Sequence, residues 1–216
     1  MAWDEYGIPY SPRRFTRIYW FSSVELKHLL ISALLVVGVG LSTLLYSWRL
    51  RQLALAFPEA WLFLTVIFAM TFLLHEIAHK LVAQHFGLWA EFRLTTFGAF
   101  LTLLSIVSPI KIVCPGAVVV SGYVSREVMG KTSIAGPITN ILLSIIFLSA
   151  MAFTRNPVLH VVSGIAAAFN AWISLFNLIP LGVLDGAKVL WWNKVAWILS
   201  FAASLILAVL ASTHVF

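Results

Sequence analysis

The chain has 216 residues, 61% of them hydrophobic and only 10% charged, whereas an average soluble domain is about 45–50% apolar and about 25% charged. With a mean hydropathy of +0.98, this composition excludes a water-soluble globule, a disordered chain and a disulfide scaffold, and it places the chain in the membrane class. The net charge of +6 lies mostly between apolar runs, so it reads as membrane topology, and no nucleic-acid partner is expected.

Charge-free stretches cover residues 28–48, 60–75, 94–110, 132–154, 156–184 and 195–216. About 20 apolar residues at a rise of 1.5 Å cross a hydrocarbon core of about 30 Å. The first span, 28–48, has Tyr19, Trp20 and Phe21 before it and Tyr46 and Trp48 at its end, as suits two interfaces. It is long for a signal-peptide core and has no small-residue cleavage site, so it reads as a retained anchor. The second span opens at Pro58-Glu59 and runs to about Phe86, before Gly87. Within 94–110, Gly98, Ser105, Ser108 and Pro109 interrupt a spanning helix, so the stretch reads as a re-entrant or membrane-associated segment. Residues 110–113 and 117–120 read as two short strands around a Pro115-Gly116 turn. Spans three to five are expected near 134–153, 158–179 (ended by Pro180) and 193–212.

The expected fold class is therefore an all-α membrane protein. It has about five transmembrane helices plus the re-entrant or membrane-associated segment with a short β-hairpin. All of it forms one domain over residues 1–216, without internal repeats. Summed on alternate sides of these spans, the basic residues divide 11 to 3. The positive-inside rule then puts the amino terminus and the carboxy ends of spans two and four in the cytoplasm.

Span two carries His75-Glu76-Ile77-Ala78-His79, an H-E-x-x-H pattern. At about 100° per residue the two histidines lie one turn apart on one helix face. Two such imidazoles can hold one metal ion, and Glu76 beside them can take a proton from a water that the metal activates. A carboxylate inside an apolar helix costs roughly 2.5–3.5 kcal/mol even on insertion scales, so this group calls for a compensating partner. The histidines His28, His85, His160 and His214 lie on other faces or at span ends and read as interfacial. Asp4 is in the polar amino-terminal segment, whereas Asp185 closes the 156–184 stretch on the same membrane side as the end of span two. Asp185 is thus the candidate third ligand, or alternatively a helix-entry residue capping the segment after Gly186.

These residues resemble the site-2 protease family of intramembrane zinc metalloproteases. The matching pieces come in the family's order: His75-Glu76-Ile77-Ala78-His79, then Ala135-Gly136-Pro137-Ile138-Thr139-Asn140, then Asn177-Leu178-Ile179-Pro180 with Asp185-Gly186. The resemblance covers a catalytic core of about 54–190. It implies His75, His79 and Asp185 as ligands of one zinc ion and Glu76 as general base. It also implies an Asn, matching Asn177, that engages substrate. Val183 and Ala187 stand where many members have a second Pro and a second Gly. No inserted peptide-binding or nucleotide-sensing domain is expected within this length.

The mechanism implied is hydrolysis of peptide bonds in or near transmembrane segments, with the tetrahedral oxyanion held by zinc and an amide donor. Asn177 is the first candidate donor and Asn140 the second; Asn140 alternatively makes an interhelical hydrogen bond, while Gly136 and Pro137 read as packing residues. The implied partner is a transmembrane protein substrate, such as a membrane-tethered regulator, besides membrane lipid. The implied location is a prokaryotic cell membrane, with the site toward the cytoplasm. A metal-binding transporter and a catalytically inactive homologue are the alternatives. A transporter, however, has no need of a Glu between the two histidines and often shows repeated halves.

Overall fold

In the computed structural model, residues 2–3, 9–10, 21–46, 52, 55–122 and 124–215 are described. Asp4, the aromatic flanks Tyr19, Trp20 and Trp48, and the basic residues Arg13, Arg14, Arg17, Arg49 and Arg51 lie outside them. The elements in chain order are β1 (Ala2–Trp3), β2 (Pro9–Tyr10), α1 (Ser23–Tyr46), α2 (Ala60–His85), β3 (Trp89–Leu94), α3 (Thr96–Val107), β4 (Gly116–Ser121), α4 (Arg126–Phe153), α5 (Pro157–Asn177), α6 (Asp185–Trp192) and α7 (Lys194–Val215). Five of these, α1, α2, α4, α5 and α7, are long and apolar enough to cross a membrane.

Two spans begin a full turn or more before their charge-free stretches. Helix α1 starts at Ser23 because Ser22 caps it, its Oγ accepting from Glu25 N at 3.1 Å. Glu25 can lie inside the helix because Lys80 Nζ meets its carboxylate at 2.5 Å, both side chains being buried. Helix α4 starts at Arg126 under the Ser125 cap, and its charged first turns carry the Lys131–Glu127 pair. Absence of charge marks the part of a helix suited to hydrocarbon, whereas the caps mark where the helix begins.

Helix α5 is the central element, with the highest buried share of the five spans. Between helices in lipid, close packing and hydrogen bonds replace the hydrophobic effect. Much of the buried face of α5 is accordingly small, with Gly164, Ala166, Ala167, Ala171 and Ser174 beside larger residues such as Ile165 and Leu175. Ser144 Oγ of α4 donates to Ala167 O at 3.0 Å, and Ser174 Oγ donates to Pro137 O at 3.0 Å.

The strand prediction needs correction. β4 does not pair with residues 110–113 but with β3, antiparallel, from Trp89↔Ser121 to Leu94↔Gly116. Residues 110–113 have no strand partner because their backbone is satisfied by α3. Ile110 N, Ile112 N and Cys114 N donate to the hydroxyls of Ser108, Ser105 and Thr102 respectively. Thr102 and Ser105 lie one turn apart on α3, and Ser108 caps its end, so each alternate N–H of the returning chain meets a hydroxyl.

Nor do Gly98 and Ser105 interrupt α3, which is continuous from the Thr95 cap to Ser108. At 12 residues it spans about 18 Å, too short to cross. It lies along α1. Leu94 N meets His28 Nδ1 at one end, and Lys111 Nζ donates to Ser42 Oγ at the other. These α1 positions are separated by about 21 Å of rise. The segment therefore runs most of the length of α1 and returns.

The start of α1, the end of α2, the β3–β4 hairpin, the start of α4 and the end of α5 meet at one end of the bundle. Phe72 of α2 packs edge-on against Phe92 of β3, with centroids 5.6 Å apart.

Candidate metal centre

At this end, α2 presents His75 and His79 from one face, both buried. The loop after α5 returns through Gly182, at φ +52°, and delivers Asp185 opposite them. Gly186 allows this return, since a Cβ there would stand 2.1 Å from Leu178 O. Asp185 opens α6, but the cap position is Leu184 and no side chain caps the helix. The Asp185 carboxylate instead faces the histidines, with Oδ2 3.1 Å from His79 Nε2 and 3.6 Å from His75 Nε2. The capping alternative therefore does not describe it.

The far nitrogens of both rings are engaged. His79 Nδ1 lies 2.7 Å from Thr132 O, and His75 Nδ1 meets Asn140 Oδ1. A backbone carbonyl only accepts, so His79 carries a proton on Nδ1. Pro137 lacks the N–H that would bond the Ser133 carbonyl, one residue along from the Thr132 carbonyl that receives His79. With both Nδ1 atoms donating, the two Nε2 lone pairs and a carboxylate oxygen point at one another. Such a convergence needs a positive charge at its centre.

The spacing is compatible with a metal ion. The two Nε2 atoms are 3.0 Å apart, so the three ligand–ligand edges are 3.0, 3.1 and 3.6 Å. Tetrahedral zinc with bonds of 2.0–2.1 Å requires edges of about 3.3 Å. Among the described residues, His75, His79 and Asp185 form a group able to hold a metal ion. Space for an ion is kept by Gly136, where a Cβ would stand 2.3 Å from His79 Nε2 and 2.6 Å from His75 Nε2. The sequence reading took Gly136 as a packing residue; it faces the ligand atoms.

Glu76, Asn177 and Lys188 line the same cavity, of about 510 Å³, with Val118 and Val120 of β4 on another wall. Lys188 Nζ lies 3.7 Å from Asp185 Oδ1, on the side away from the histidines. Asn177 Nδ2 donates to Ile173 O at 3.0 Å at the end of α5. Asn140 is fully buried behind His75, and its Nδ2 donates to Asn170 Oδ1 at 3.0 Å. Asn170, in the middle of α5, and Thr132 were not singled out in the sequence. An Asn deep in the 156–184 run was the available signal for the first. The remaining histidines sit apart: His28 on Leu94 N, His160 on Met151 O and His85 against Phe86. The side chain of His214 is outside the described residues.

Over 129 residues the chain is 35% identical to "Putative zinc metalloprotease MJ0611" of Methanocaldococcus jannaschii, covering 58% of this chain and 68% of that protein. Over 158 residues it is 30% identical to "Putative zinc metalloprotease YwhC" of Bacillus subtilis, covering 59% of this chain and 67% of that protein. The chain belongs to this zinc metalloprotease family. No protein-family model and no solved structure matches it. The donor set of two imidazoles and one carboxylate is the chemistry a zinc metalloprotease requires, with one position left for water or substrate.

Proposed function

We propose that this chain is an intramembrane zinc metalloprotease of the site-2 protease type, with His75, His79 and Asp185 holding one zinc ion. The observation that carries this reading is the convergence of these three ligand atoms beside Glu76, in a cavity at the end of an apolar helix. A zinc ion bound there supplies a Lewis acid that polarises a peptide carbonyl and acidifies water. Glu76 accepts the proton of the attacking water and returns it to the leaving nitrogen. Asn177 lines the same cavity; its Nδ2 bonds Ile173 O through one N–H and, in this reading, donates its other N–H to the substrate carbonyl. Asn140, with both ends of its amide engaged, holds His75 rather than substrate.

The sheet supports an extended substrate. Phe92 N donates to Glu25 Oε1 at 2.9 Å and Leu94 N to His28 Nδ1 at 3.3 Å, so the outer side of β3 is closed by α1. In an antiparallel ladder the donors alternate. Val118 and Val120, opposite Phe92 and Ala90, therefore turn their N–H and C=O groups away from β3, beside the cavity. A substrate segment unwound from its helix can pair there. By this reading the substrate is a transmembrane protein, such as a membrane-tethered regulator. The positive-inside count supports a site toward the cytoplasm, and the proposed location is a prokaryotic cell membrane.

The test is paired. Zinc content and cleavage of a transmembrane peptide are measured for wild type, His75→Ala and Glu76→Gln. His75→Ala should lose zinc, and Glu76→Gln should keep zinc and lose cleavage. Full cleavage by Glu76→Gln would remove it as the base. Zinc flux in proteoliposomes without cleavage would favour the transporter reading instead.

A further inference from the structure

We propose that Asn170 is a positioning residue for the metal site, acting through Asn140 to fix the tautomer of His75. This rests on the reading of His75, His79 and Asp185 as zinc ligands. A neutral imidazole binds metal through the nitrogen without a proton, so the far nitrogen must hold the proton. His79 achieves this with a backbone carbonyl, Thr132 O, which cannot donate. His75 faces a side-chain amide, and an amide has two ends. Turned by 180°, Asn140 would offer its NH₂ to His75 Nδ1 and drive the proton onto Nε2, the atom facing Asp185 and His79.

The structure removes that ambiguity one residue further back. Asn170 Nδ2 donates to Ala166 O at 2.9 Å and to Thr71 Oγ1 at 3.0 Å. The Ala166 carbonyl can only accept, so this end of Asn170 is its NH₂. Its Oδ1 therefore faces Asn140 and accepts from Asn140 Nδ2 at 3.0 Å. Asn140 must then present Oδ1 to His75 Nδ1. Both amides are fully buried, so no water competes for either end. The chain of polarity runs from a helix carbonyl of α5, through two amides, to a ligand on α2.

The experiment uses the full chain in detergent, labelled with ¹⁵N-histidine and stripped of metal. Long-range ¹H–¹⁵N spectra read the His75 tautomer, with His75→Ala assigning the signal, and chelator competition reads zinc affinity. Wild type should show His75 protonated at Nδ1. Asn170→Leu should shift it toward Nε2–H and weaken zinc binding about 10- to 100-fold, the range for loss of an outer partner. Asn140→Asp in the Asn170→Leu background should restore both, because a carboxylate accepts from Nδ1 whichever way it turns. A purely packing role for Asn170 would not be rescued in this way.

If Asn170→Leu does not fold, Asn170→Thr, which also cannot reproduce the amide, takes its place. Wild-type His75 protonated at Nε2 would overturn the proposal, as would an Asn170 variant with wild-type tautomer and affinity. Equal zinc binding by wild type and His79→Ala would instead overturn the metal reading, and the tautomer measurement would still stand.

Discussion

Replacing Gly136 by Ala tests whether the space between the ligands is reserved for an ion. The added Cβ would stand 2.3 Å from His79 Nε2 and 2.6 Å from His75 Nε2, where ordinary contact begins at 3.4 Å. Relieving the closer contact requires a retreat of about 1.1 Å, against a tolerance of about 0.2 Å for a metal–ligand bond. Loss of an outer partner alone costs about 10- to 100-fold in metal affinity, so displacing a ligand should cost at least about 100-fold. The fold should suffer less. Overpacking costs about 1–3 kcal/mol, partly offset by about 1 kcal/mol from the helix preference of Ala over Gly. Zinc affinity by chelator competition and thermal unfolding in detergent read the two effects separately. A folded Gly136→Ala protein that binds zinc as tightly as wild type would show that Gly136 does not guard the centre.

Further outcomes follow from the hairpin, the buried pair and the returning chain. Val118→Pro removes an N–H that points away from β3, so it should sharply reduce cleavage of a transmembrane peptide while zinc content stays unchanged; undiminished cleavage would refute strand pairing there. Lys80→Met leaves Glu25 buried without its cation and should destabilise the chain by about 3–5 kcal/mol, with Glu25→Gln in the same chain recovering much of the loss. Both values come from unfolding curves, and an unchanged midpoint in Lys80→Met would refute the pairing energy. Ser105→Ala strips Ile112 N of its acceptor and should cost about 1–3 kcal/mol by the same assay; no loss would mean that another group serves this N–H.

The candidate metal ligands are legible in the sequence because they obey local rules. His75 and His79 are one helical turn apart, and Asp185 stands out with Glu76 as one of two carboxylates that end long apolar runs. The five long helices were legible for the same reason, since hydrocarbon tolerates few charges. The hairpin was not, because its strands are separated by the whole of α3. Residues 89–94 carry no assigned element by sequence, whereas 110–113 look like a strand by composition. Only the hydroxyls of Thr102, Ser105 and Ser108 reveal where the latter's hydrogen bonds go. Asn140 was visible as a candidate, but its role depends on Asn170, 30 residues away. Nothing local in either motif shows that two amides share one hydrogen bond. Glu25 and Lys80, 55 residues apart, escaped for the same reason.

The closed side of β3 has a consequence for traffic in a crowded membrane. Exposed strand edges invite pairing between neighbouring molecules. Here one edge is occupied by Glu25 and His28, and the other borders a hollow inside the same molecule. Under the proposed function, a chain that pairs at this edge must first have lost its own helical hydrogen bonds. Choice among passing helices would then rest less on their side chains than on how readily each one comes apart.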